Sequence, residues 1–191
     1  MKRIGILGGT FNPIHIGHLA IAQTVCDRLH LDKVLFVPSY YPPHKGHKNV
    51  IDTRHRIKMV GLAIKHNPQF GIEDFEIKRP GKSYSIDTLK YLHRIYPSKT
   101  KFFFIIGSDI VKDLGKWKRI DELLKLVQFV VVSRKGYGKL RTKYKAKVVA
   151  TLDLSVSSSY LRQCLRKNIT VRYLLPDPVL RYIKKYRLYG F

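Results

Sequence analysis

The residue types most able to do chemistry stand near the amino terminus, in Gly8-Gly9-Thr10-Phe11-Asn12-Pro13-Ile14-His15-Ile16-Gly17-His18. Glycines let main chain approach an anion closely. A chain that leaves a strand and enters a helix aims free N–H groups and the positive helix end at the same point. His15 and His18, three apart, share one face of a helical turn and can grip one ligand. The combination suits phosphate. Blander readings stay open here: paired glycines often mark only a turn, and either histidine can be an inert surface or core residue. His-x-x-His can also be half of a zinc site, although third and fourth ligands are not evident.

A second segment, Ser155-Val156-Ser157-Ser158-Ser159-Tyr160-Leu161-Arg162, puts hydroxyls at an expected helix start and a guanidinium one turn in. Physically it is another anion cup, with Ser157 and Ser158 beside free N–H groups and Arg162 as a two-pronged donor. Alone, it reads more simply as a serine cap with a solvated arginine. Gly107-Ser108-Asp109 closes the most apolar stretch, where an acid can hold ribose hydroxyls. Trp117, among Lys116, Lys118 and Arg119, offers a flat face to a ring, though a lone Trp more often belongs to a core. Gly81-Lys82-Ser83 is not a phosphate loop of the Walker kind, because that loop's first glycine falls at Glu76 and Pro80 is adjacent.

Alternating elements must position these groups. Lys2–Leu7, Lys33–Pro38, Phe70–Lys78, Lys101–Gly107, Val127–Ser133 and Lys147–Leu152 read as strands, the first broken by Gly8-Gly9. Helices are expected over about 17–30, from a cap at Asp52 to about His66, over Tyr84–Tyr96, to about Leu126 with an interruption near Gly115, and over Ser157–Asn168. Asp177-Pro178 is expected to cap a last helix with Val179, Ile183 and Tyr186 inward. Strand–helix alternation with strands apolar on both faces predicts an α/β fold: a Rossmann-like, doubly wound, mainly parallel sheet with helices on both faces. One domain over 1–191 is expected, with a small helical part from about 155. Ligands in such sheets bind beyond the carboxyl ends of the strands.

Gly9–His18 resembles the GTFDPxHxGH signature of the nucleotidyltransferase superfamily, and Val156–Arg162 resembles its ISSTxIR motif. Asn12 stands where the signature has Asp, which keeps the local capping geometry and drops a charge. Gly107-x-Asp109 with Trp117-Lys118, and Ser83-Tyr84-Ser85-Ile86-Asp87-Thr88-Leu89, are similar to segments of the nicotinate mononucleotide adenylyltransferase family. Pro42-Pro43-His44-Lys45 and Arg134 match family positions, and the matches run in order from residue 5 to 189. The resemblance implies adenylyl transfer from ATP to nicotinate mononucleotide, with Mg²⁺ carried on the triphosphate and no metal cage in the protein. It implies catalytic roles for His15, His18 and Arg162. ATP would meet these together with Gly8, Gly9, Thr10, Phe11, Asn12, Lys45, Arg134, Ser157 and Ser158. The pyridine nucleotide would meet His44, Tyr84, Ser85, Thr88, Gly107, Asp109, Trp117 and Lys118. Nicotinamide mononucleotide, phosphopantetheine or a phosphorylated alcohol remain alternative acceptors, of which the aromatic positions favour a pyridine.

Composition sets the outer bounds. The 191 residues are 45% hydrophobic and 26% charged, ordinary values for a chain with a core. Thirty-seven Lys and Arg against 13 acids give a formal charge of +24, so an anionic partner is expected. Beyond Glu122 there are 16 Lys and Arg and two acids, and Arg134–Lys147 holds seven without an acid. A nucleic-acid partner is the less favoured reading, since no RNA- or zinc-finger pattern accompanies the charge. Cys26 and Cys164 make no disulfide framework, and no run is long and apolar enough for a signal peptide or a membrane span. A reducing cytoplasm is the expected location. The oligomeric state, a homo-oligomer included, stays open.

Overall fold

Strand β1 (Arg3–Gly9) leads into helix α1 (Ile16–Arg28), and β2 (Lys33–Pro38) into α2 (Thr53–Ile64). The short β3 (Phe70–Ile72) precedes α3 (Phe75–Lys78) and α4 (Ser85–Ile95). Then follow β4 (Lys101–Gly107), a 3₁₀ stretch Ser108–Lys116, α5 (Ile120–Leu126), β5 (Gln128–Arg134) and β6 (Ala146–Thr151). Helices α6 (Ser158–Arg166) and α7 (Asp177–Lys185) and a 3₁₀ turn Leu188–Gly190 end the chain. This computed structural model describes residues 1–41, 50–79, 81–134, 144–152 and 154–190. His44, Lys45 and the Arg134 side chain lie outside the described residues.

The strands pair in parallel in the order β3-β2-β1-β4-β5-β6. The order reverses between β1 and β4, and a crevice forms beyond their carboxyl ends for that reason. Side chains two apart on each strand serve one face. Leu7, Phe103, Ile105 and Val130 pack with α1, α2, α6 and α7, whereas Ile4, Ile6, Phe104 and Phe129 pack with α4 and α5. Each such side chain withdrawn from water stabilises by about 1.5–3 kcal/mol. The surface ion pairs count for less: in Arg54–Asp52 the arginine side chain is 89% exposed, where water screens the attraction. The apolar layers hold the sheet. The carboxyl-terminal helices share one of them through Leu161, Cys164, Val179 and Ile183.

Four expectations shift. β1 is not broken at Gly8-Gly9, since both glycines pair with β2, and the turn falls at Phe11 with φ 47°. Phe70–Lys78 is a three-residue strand followed by a helical turn. The next rung of its ladder would need the amide of Pro38, which proline lacks. The last helix is capped one residue earlier, at Pro176, which puts Asp177 in its first turn. Tyr186 is 48% exposed rather than inward and lies against Tyr182 and His55.

Candidate active site

A cavity of about 590 Å³ opens at the reversal point, between the turn after β1 and the start of α6. Ten of the twelve residues expected to hold a triphosphate meet there, Lys45 and the Arg134 side chain lying outside the described residues. Gly8 to Asn12, His15, His18, Ser157, Ser158 and Arg162 all line it. His15 is the extended residue just before α1 rather than part of its first turn. Its ring lies 3.7 Å from that of His18, and its N–H donates to His18 Nδ1 at 3.2 Å. A nitrogen that accepts carries no proton, so His18 is held as the tautomer whose Nε2–H is the donor. Phe11 is 1% exposed and packs against Phe36 and His18, so it supports the imidazole from the core.

The two motifs, 150 residues apart, are stitched directly. Arg162 Nη1 donates to the Asn12 carbonyl at 2.7 Å and Ser158 Oγ to the Pro13 carbonyl at 2.9 Å. Gly17 permits the approach, because a Cβ there would stand 2.9 Å from Val156 Cγ1. Ser157 is taken by its own helix, accepting from the Tyr160 N–H at 3.2 Å. The serines therefore build the cup more than they fill it. Arg162 also reaches Ser159 Oγ at 3.2 Å, and among the described residues no carboxylate lies within ion-pair distance of it. Burial pulls its pKa down, with Tyr189 opposing and Arg166 adding to the fall, but a guanidinium remains charged.

Asn12, 3% exposed, is a structural hub. Its Oδ1 accepts from Tyr189 Oη at 2.9 Å and from the Ile51 N–H at 3.4 Å. Burial pushes the Tyr189 pKa up, which keeps that hydroxyl a donor. The last turn of the chain is thereby fastened to the turn after β1. Tyr189→Phe should destabilise the protein by about 1 kcal/mol, since it strips a buried acceptor of the nearer of its two donors. An unchanged urea midpoint would show that the bond carries no weight.

Sequence reasoning missed Arg56. It lies on α2, 1% exposed, and donates to the carbonyls of Thr10 (2.8 Å), Ser39 (2.8 Å), Tyr40 (3.3 Å) and Ile51 (3.2 Å). The segments leaving β1 and β2 are pinned by this one side chain. Nothing in the sequence marked it, because an arginine in a helix that also carries Arg54 and Lys58 reads as solvated.

The eight candidates for the pyridine nucleotide divide. Gly107 and Asp109 line the large cavity, and a Cβ at Gly107 would collide with the Asp109 carboxylate. Tyr84, Ser85, Trp117 and Lys118 line a second cavity of about 240 Å³. Trp117 is half-buried, its inner edge against Phe104 and Phe129, and Lys118 Nζ sits 4.2 Å from the centre of the Tyr84 ring. Thr88 is not brought to either cavity. It is 1% exposed and its hydroxyl donates to Glu76 Oε1 at 2.6 Å. His44 and Lys45 fall outside the described residues.

The cytidylyltransferase-like family model matches residues 6–164, a span holding both His15–His18 and Arg162. The chain belongs to the cytidylyltransferase-like family. A relative from Oceanobacillus iheyensis, named a probable nicotinate-nucleotide adenylyltransferase, is 48% identical over 191 residues, 100% of this chain and 98% of that protein. One of the same name from Lactococcus lactis is 48% identical over 188 residues, covering 98% and 95%. Among solved structures, Plasmodium falciparum nicotinic acid mononucleotide adenylyltransferase complexed with NaAD has a TM-score of 0.82 at 23% identity, covering 100% of this chain and 98% of that one. That likeness speaks for the fold. In this cytidylyltransferase-like chain, among the described residues, no three His, Cys, Asp or Glu side chains gather as a metal set, and no helix is long and apolar enough to cross a membrane.

Proposed function

We infer that this protein is a nicotinate-nucleotide adenylyltransferase, acting in NAD biosynthesis in the cytoplasm. An oxygen of the nicotinate mononucleotide phosphate attacks the α-phosphorus of ATP. A new P–O bond forms, the bond to the β-phosphate oxygen breaks, and pyrophosphate leaves with that electron pair. The products are nicotinate adenine dinucleotide and pyrophosphate. The observation that carries this reading is the direct junction of the two phosphate-type motifs, Arg162 on the Asn12 carbonyl, at one cavity beside β1 and β4.

Such chemistry needs positioning and charge stabilisation more than a protein nucleophile. His18, through Nε2–H, and His15 stabilise charge on the reacting phosphates. Arg162, Lys45 and Arg134 take the outer phosphates, while the N–H groups of Gly8–Asn12 and the start of α1 hold the rest. Among the described residues Asp109 is the one carboxylate lining the cavity, a donor set that fits Mg²⁺ held mainly by triphosphate oxygens. The ion, when bound, supplies neutralisation of polyphosphate charge. The pyridine ring stacks on Trp117 beside Tyr84 and Ser85, and Lys118 offers positive charge to its carboxylate. Asp109, at the end of β4, takes ribose hydroxyls.

Incubation with ATP, Mg²⁺ and nicotinate mononucleotide should release pyrophosphate, and no release above the ATP-only background would end the reading. Trp117→Ala should raise KM for the mononucleotide about 10-fold, the scale of one lost ring stack, with KM for ATP within about two-fold. Equal changes in both would argue against stacking.

A further inference from the structure

Glu76 is a half-buried acid, on α3, in a chain of formal charge +24, and neither cavity accounts for it. Its carboxylate accepts from Thr88 Oγ1 on α4 at 2.6 Å. Ser83 Oγ accepts from the Tyr40 N–H at 2.9 Å, and the Ser83 N–H donates to the Tyr41 carbonyl at 3.0 Å. Ser83, Tyr84 and Ser85 form one wall of the smaller cavity, which Trp117 also lines. The Thr88 N–H donates to the Tyr84 carbonyl at 3.4 Å, so the carboxylate is tied through α4 to that wall, and Ser83 ties the wall to the segment leaving β2. Tyr40 continues the path, because its carbonyl accepts from Arg56, which also holds Thr10 of the phosphate cradle.

Among the described residues no Lys or Arg lies within ion-pair distance of Glu76. Removing a carboxylate from water is costly unless hydrogen bonds replace the lost hydration. Here the replacement is the hydroxyl of Thr88, on the helix whose first residues line the smaller cavity.

We propose that Glu76 is a positioning residue of the acceptor subsite: through Thr88 it sets the backbone of Tyr84–Ser85 in the cavity that Trp117 also lines. This rests on the smaller cavity being the pyridine-nucleotide subsite. It also gives Thr88 its part, as an anchor of the wall rather than a contact of the ligand.

The test is steady-state kinetics on Glu76→Ala, Glu76→Gln, Thr88→Val and Trp117→Ala, each checked for an intact melting transition. Glu76→Ala should raise KM for nicotinate mononucleotide about 10-fold, the scale of one lost hydrogen bond to a charged group, while KM for ATP stays within about two-fold. Glu76→Gln, which keeps the shape and one acceptor oxygen, should recover part of the loss and carries the test if the alanine variant does not fold. Combining Glu76→Ala with Thr88→Val should cost little more than the worse single change, since both cut the same link. Parallel rises in both KM values, or no rise after Glu76→Ala while Trp117→Ala does raise the acceptor KM, overturn the proposal. An unchanged acceptor KM in Trp117→Ala instead overturns the subsite assignment beneath it.

Discussion

Replacing His18 with alanine should lower kcat for adenylyl transfer about 10²–10³-fold, the usual effect of deleting one donor aimed at developing charge. The change removes the Nε2–H that the His15 N–H bond to Nδ1 leaves as the ring's donor. KM for ATP should move much less, because a donor whose bond strengthens as charge develops contributes to the transition state more than to ground-state binding. His18 is half-buried at the cavity edge, so its loss opens no hole in the apolar layers. The melting temperature should fall by only a few degrees, the cost of the His15 N–H losing its acceptor. A pyrophosphate-release assay beside a circular-dichroism melt reads both quantities, and near-normal turnover would remove His18 from the mechanism.

Arg56→Ala should be the most damaging substitution for stability. It abolishes four hydrogen bonds at once and leaves carbonyls of Thr10, Ser39, Tyr40 and Ile51 without that donor. Loss of a buried network of this kind costs about 3–5 kcal/mol. In a chain of this length that corresponds to a fall in Tm on the order of 10 °C. Arg56→Lys should restore only part, because an ammonium cannot span carbonyls on four residues as a planar fork does. A wild-type melting curve for Arg56→Ala would mean that other contacts hold the segments leaving β1 and β2.

Sequence and tertiary structure divided the work along a physical line. Elements whose signal is local were legible. Phe102–Ile106 could only be a buried strand, Asp52 and Ser157 do cap their helices, and Gly9–His18 and Val156–Arg162 could be read as anion cups with no knowledge of each other. What depends on pairing was not. β3 stops after Ile72 because its neighbour offers a proline, and Tyr186 faces outward although its spacing suits a core position.

The site shows the same limit. Residue types named the ligand class, but a hydroxyl or guanidinium looks alike in sequence whether it meets substrate or its own backbone. Ser158 turned out to bond the Pro13 carbonyl, Thr88 to bond Glu76, and Arg56 to clasp four carbonyls rather than water. By itself the sequence determined the alternating α/β framework and the phosphate-seeking residue types, because periodicity, caps and glycines act over a few neighbours. Only the folded chain decided which polar groups are spent on holding the site together, since hydrogen-bond partners from 12 to 177 residues away exist only once the sheet has closed.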